Sequence, residues 1–137
     1  MKLITRDTDY AIRALIFIAQ SKKNIVSVAD LVGALAIPRP FLRKILQILN
    51  RNGLLKSYKG KGGGFKLAKP ATNITLIEIM EIFQGPFELN QHLLKRKTCP
   101  RVDTCELKKK IDSLEKKMHK ELSEINIAIL IPRDKRF

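Results

Sequence analysis

Arg39, Arg43 and Gln47 stand at i, i+4 and i+8, with Pro40 and Lys44 among them. On a helix they share a face. Arg can bond guanine bidentately and Gln adenine, each pair giving about 1–3 kcal/mol of discrimination between bases. Further on, Lys59-Gly60-Lys61-Gly62-Gly63-Gly64 combines charge with residues that let backbone amides approach a phosphate closely. A third group, Cys99 and Cys105 with His92 upstream, offers soft donors for metal or redox chemistry.

The first two groups lie in a stretch between Leu31 and Ile77 that contains no Asp or Glu. It carries Arg39, Arg43, Lys44, Arg51, Lys56, Lys59, Lys61, Lys66 and Lys69. A surface of one sign is what gripping a polyanion requires. The bland alternative for the first group is solvated charge on a surface helix, and a basic neighbour such as the glycine segment weighs against it. Lys56 and Lys66 could serve only to solubilise their strands. The rival reading of the glycine cluster is a phosphate-binding enzyme loop; against it, the cluster lacks the GxxxxGK[ST] spacing and leads into an apolar strand, not a helix. With only His92 and His119 as histidines, no Ser/His/Asp or Cys/His set has convincing spacing, so an enzyme is not expected.

These side chains need elements to hold them. Tyr10, Ala11, Ala14, Leu15 and Ile18 recur at helical spacing, predicting a helix from about Arg6 to Gln20. Ser27 and Asp30 form a capping box that opens a short second helix, with Val28, Leu31 and Leu35 inward. Pro38 and Pro40 mark a turn and a third helix start. Leu42, Ile45, Leu46 and Leu49 then define its buried stripe, and Asn52-Gly53 closes it. This is a helix-turn-helix pattern, whose recognition helix usually meets bases with its N-terminal residues. The apolar runs on either side of the glycine tip predict a β-hairpin, with Gly62 to Gly64 supplying positive φ. Thr75 to Gln84 follows as an amphipathic helix, stopped by Gly85-Pro86.

Gln91 to Thr104 shows no periodicity and reads as a loop. Beyond it Leu107, Ile111, Leu114, Met118, Leu122 and Ile125 step by three and four between charged residues. One helix cannot bury such a seam alone, so it should pair with its copy in a second subunit. The alternative is that the seam packs back onto its own domain. The fold class expected is mainly α with a small β-hairpin wing. Residues 1–88 form the winged helix-turn-helix domain, 89–105 a sensor loop, 106–131 a dimerisation helix and 132–137 a basic tail.

Composition agrees. Across 137 residues, 45% are hydrophobic, enough for a core, and a net charge of +14 points to an anionic partner. Nucleic acid leads, ahead of an anionic membrane surface. The longest apolar runs are too short to span a bilayer. Arg6, Asp7 and Asp9 stand where a signal peptide would need apolar residues, so a cytoplasmic protein is expected. In that compartment two cysteines are more often free thiols, ligands or redox sensors than a disulfide.

The chain resembles the winged-helix regulators typified by the iron–sulfur cluster repressor IscR, the nitric-oxide sensor NsrR and the cysteine-metabolism repressor CymR. The resemblance covers nearly the whole chain. It rests on Asp9-Tyr10-Ala11, on Phe41-Leu42 with Ile45-Leu46, and on Asn52-Gly53-Leu54-Leu55. Its most specific part is Lys59-Gly60-Lys61-Gly62-Gly63-Gly64-Phe65-Lys66-Leu67-Ala68-Lys69-Pro70, followed by Ile74-Thr75-Leu76. It implies a homodimeric bacterial repressor on a pseudo-palindromic double-stranded DNA operator. Where the family often has a wing arginine this chain has Lys59, which keeps the charge and loses the planar fork.

The resemblance also implies a sensor. Cluster-binding relatives carry three cysteines in the loop where this chain has Cys99 and Cys105. His92 stands about where the third would be, and imidazole can replace thiolate on cluster iron. Asp9 matches a carboxylate that, in some relatives, the partner subunit contributes. Cys99, Cys105, His92 and Asp9 thus form a candidate ligand set for an iron–sulfur cluster. The rival readings are two remnant cysteines beside an ordinary loop histidine, and a thiol switch, since Lys95, Arg96, Lys97 and Arg101 favour thiolate. Zinc would need four convergent ligands, which the local sequence does not show. The rival from another class is a winged-helix protein-interaction scaffold with no sequence preference on DNA.

Overall fold

The computed structural model describes residues 2–89 and 106–133. Its helices start where small polar side chains accept the amides that a first turn leaves unbonded. Thr5 caps α1 (Arg6–Gln20), its Oγ1 accepting from the Thr8 amide at 3.4 Å. Ser27 caps α2 (Val28–Leu35) through the expected reciprocal pair. The Asp30 amide donates to Ser27 Oγ at 3.0 Å, and the Ser27 amide to Asp30 Oδ2 at 3.2 Å. The Ser27 amide and side chain, with the Lys23 ammonium, hold the Asp30 carboxyl below its ordinary value. Its ionised form therefore favours the folded state above the ordinary value, and that contribution is lost as pH falls through the depressed one.

Ala36, in the turn between α2 and α3 (Arg39–Arg51), sits at φ 54 and ψ 31. A residue with a Cβ there bears about 1–2 kcal/mol of left-handed strain. Pro40 lies in the first turn of α3, where a missing N–H leaves no bond unmade.

The hairpin pairs β1 (Leu55–Tyr58) with β2 (Gly64–Leu67) in antiparallel register, Leu55 opposite Leu67 and Tyr58 opposite Gly64. A third segment joins it. The Val26 amide donates to the Phe65 carbonyl and the Phe65 amide to the Val26 carbonyl, both at 2.8 Å. Gly64 permits this approach: it has φ +153, and a Cβ there would collide with the Val26 carbonyl. The wing is thus fastened to the entrance of α2.

A single 3-10 turn (Ala71–Asn73) leads to α4 (Leu76–Gln84), capped by Thr75. At the centre lies α1, packed against α2, α3, α4 and β2. Its Ala11, Ala14 and Leu15 are fully buried in a core with Leu31, Leu42, Ile45, Leu46, Leu49 and Ile79.

The helix expected over 106–131 is two helices. α5 (Glu106–Glu124) stops, and α6 (Ile127–Leu130) restarts from Asn126, whose Oδ1 accepts from the Ile129 amide at 2.9 Å. Between them the chain is extended and pairs with the approach to α4. The Leu76 amide donates to Ile125 at 2.8 Å, and the Ile127 amide to Ile74 at 2.9 Å. The break follows from Asn126, which favours caps over helix interiors, and from Ile127, which is fully buried in the main core beside α1.

The apolar seam divides accordingly. Leu122 is buried with Leu76, Ile77 and Met80, and Ile125 packs against them, so this end does pack onto its own domain. Leu107 and Leu114 remain 67% and 50% exposed. Among the described residues no helix is long and apolar enough to cross a membrane.

Candidate nucleic-acid interface

The stripe Leu42, Ile45, Leu46 and Leu49 is at most 1% exposed, and its burial fixes which way α3 faces. Arg39, Pro40, Arg43, Lys44 and Gln47 are all exposed, as their spacing predicts. Among the described residues no carboxylate pairs with Arg39, Arg43, Lys44, Arg51, Lys56, Lys59 or Lys61. Two other cations of the acid-free stretch are engaged. Lys69 Nζ bonds Glu78 at 2.8 Å, and Lys66 Nζ lies 5.7 Å from the centre of the Tyr58 ring. The charge left over therefore concentrates on the outer face of α3 and on the hairpin.

Lys59 and Lys61 are exposed at the tip, where the Gly63 amide closes a turn onto the Gly60 carbonyl at 3.0 Å. Gly60, Gly62 and Gly64 take positive φ there, whereas Gly63 does not. Lys56 faces Lys66 directly across the strands. Like charges so placed repel, and an anion beside them removes that cost.

Between α3 and the hairpin lies a cleft of about 480 Å³ whose lining includes Gln47, Asn50, Arg51, Ser57, Tyr58 and Lys59. Gln47 and Lys59 belong to the expected set; Asn50, Arg51, Ser57 and Tyr58 are additions. Arg51 was open to discovery, since it extends the row of Arg43 and Gln47 by one more step of four. Tyr58 carries no such signal, because only the register of the hairpin turns it outward.

Of the proposed sensor residues, only Asp9 falls among the described ones. His92, Cys99 and Cys105 lie outside the described residues. Asp9 is on α1, its Oδ2 3.0 Å from Arg13 Nε in a half-exposed ion pair. Among the described residues no group of three His, Cys, Asp or Glu is placed to hold a metal.

Polar contacts from Gln84 steady the start of α1. Gln84 Oε1 accepts from Thr8 Oγ1 at 2.7 Å and from the Thr5 amide at 3.0 Å, and Gln84 Nε2 donates to the Leu3 carbonyl at 3.1 Å. Thr8 is fully buried. This clip joins residues more than 70 positions apart, and no local spacing announces it.

Residues 4–133 match the model of the Rrf2 family, described as an iron-dependent transcriptional regulator. The chain is 32% identical over 105 residues to protein aau3 of Rhizobium meliloti, spanning 76% of this chain and 68% of that protein. It is 40% identical over 84 residues to the HTH-type transcriptional regulator IscR of Cereibacter sphaeroides, spanning 59% of this chain and about half, 54%, of that protein. The structure of CymR, the global cysteine regulator of B. subtilis, aligns over 96% of this chain and 97% of that one, with a TM-score of 0.76 at 21% identity. At that identity the likeness is one of fold, a winged helix. The chain belongs to the Rrf2 family of helix-turn-helix transcriptional regulators.

Proposed function

We propose that this protein is a homodimeric, sequence-specific regulator, a repressor on a pseudo-palindromic operator, acting in the cytoplasm. Arg39, Pro40, Arg43, Lys44 and Gln47 enter the major groove on α3, while Lys59 and Lys61 hold phosphate or the minor groove from the wing. The observation that carries this reading is the set of exposed cations on α3 and the hairpin, none paired with a described carboxylate. The exposed end of the α5 seam is the surface for the second subunit. Two recognition helices so joined meet half-sites about 34–36 Å apart, or a multiple.

The test is operator binding against salt. Several neutralised phosphates give a slope of log K against log[salt] near −0.9 per contact, and a flat response overturns the assignment. Arg43→Ala should flatten sequence preference, costing about 1–3 kcal/mol at its base pair. Lys61→Ala should weaken all sequences about equally. A protein-interaction scaffold shows no sequence preference in either experiment.

The sensing element in this proposal is the segment of Cys99 and Cys105. Two thiolates, the His92 imidazole and the Asp9 carboxylate are donors suited to cluster iron, and a bound cluster supplies a one-electron or iron-dependent signal. Asp9 Oδ2 already lies 3.0 Å from Arg13 Nε, so iron would share that carboxylate with the guanidinium. Anaerobic reconstitution with iron and sulfide analysis decides the matter: a colourless, iron-free product removes the cluster.

A further inference from the structure

A recognition helix in the major groove runs between two phosphate backbones. The wing attends to one flank of α3, and Asn50 lines the cleft on that side. Phe41 lies nine residues before Asn50, and at about 100° per residue the two stand on opposite sides of the helix. Phe41 is 44% exposed, a large apolar ring left outside the core.

It is not bare. The Arg6 guanidinium of α1 lies 5.1 Å from the centre of the Phe41 ring and 6.0 Å from that of Tyr10. Both distances fall within cation–π reach. Arg6 itself is exposed and makes no ion pair with a described carboxylate. Its backbone is held on both sides, since Gln84 bonds Leu3, Thr5 and Thr8. A long cationic side chain is thus oriented in advance by two rings and an anchored backbone, while no described carboxylate neutralises its charge. Stacking engages the face of a guanidinium and leaves its N–H edge open, the edge that bonds phosphate bidentately.

We propose that Arg6, positioned by Phe41, clamps a DNA backbone phosphate on the flank of α3 opposite the wing. The clamp rests on α3 being the recognition helix. It makes α1 a third element of the interface and assigns the exposed Phe41 ring a positioning role.

The experiment uses the full chain and a duplex that it enriches from a random pool. Single phosphates on each strand are replaced in turn by neutral methylphosphonate. The wild-type protein should lose affinity at a defined set of positions. Arg6→Gln should become indifferent to one of them, a position that Lys61→Ala still senses. Its salt slope should be shallower by about 0.9, with sequence preference and unfolding midpoint unchanged. Arg6→Lys should recover the slope without the full affinity, because it keeps the charge and loses the fork. Phe41→Leu should weaken binding while leaving the slope nearly intact.

An unchanged slope and phosphate pattern in Arg6→Gln overturns the clamp, provided Arg43→Ala and Lys61→Ala behave as described above. If those two variants also leave binding untouched, the recognition assignment itself is overturned, and the clamp with it.

Discussion

Helices α3 and α5 carry the same kind of apolar stripe, spaced by three and four, yet the two stripes meet different fates. In α3 every member is sealed against α1, α2 and β1, and the opposite face is left to polar chemistry. In α5 only Leu122 is buried, while Leu107 and Leu114 stay open to solvent. The difference lies in the surroundings. α3 is enclosed by neighbours on several sides, whereas α5 meets its own domain chiefly through α4. Periodicity therefore tells which face of a helix seeks cover, not what covers it.

The largest expected effect tests the sealed stripe. Leu46→Ala should cost about 2–5 kcal/mol of stability by urea titration, because it leaves a cavity in a closed core. A loss below 1 kcal/mol would mean that α3 is not held as described. The next test sets the two ends of α5 against each other. Leu122→Ala should cost about 2 kcal/mol, near the low end for such a truncation. Leu114→Ala should stay within about 0.5 kcal/mol at concentrations where the chain is monomeric, yet weaken self-association in sedimentation. Equal losses at the two sites would erase the contrast.

The smallest effect sharpens the placement of α3. Ala36→Gly relieves left-handed strain in the turn before it but adds freedom to the unfolded chain, for a net gain of about 0.5–1 kcal/mol by thermal unfolding. A loss of stability would show that the Ala36 methyl contributes packing that outweighs its strain.

Much of this molecule was legible because its signals are local. The Ser27 and Asp30 box, the Pro40 start, the α3 stripe and the hairpin each declare themselves within a few residues. The outward row Arg39, Arg43 and Gln47 follows from the stripe, so its exposure was legible too. What escaped depends on distant partners. The bridge from Val26 to the wing, the Gln84 clip and the stacking of Arg6 on Phe41 join segments that sequence spacing cannot relate. The break at Asn126 lies between these cases. An asparagine ahead of an apolar run is a cap signal, but the regular seam through Ile125 masked it. Leu122 and Ile127 turned inward because the chain returns to pair with Thr75, a contact with no local mark.

That return gives α5 a mechanical character. Its C-terminal end is fastened by the extended pairing at Asn126 and by Leu122, while the end bearing Leu107 stands exposed. From Leu107 to Leu122 the helix is about 22 Å long at 1.5 Å per residue. It is a lever with its fulcrum set in the core of the DNA-binding domain. A tilt of about 5° at the fulcrum displaces the far end by about 2 Å over that length. Conversely, a small push on the Glu106 end of α5 reaches the fulcrum as torque on α4 and on the approach to it, the elements that the fulcrum touches.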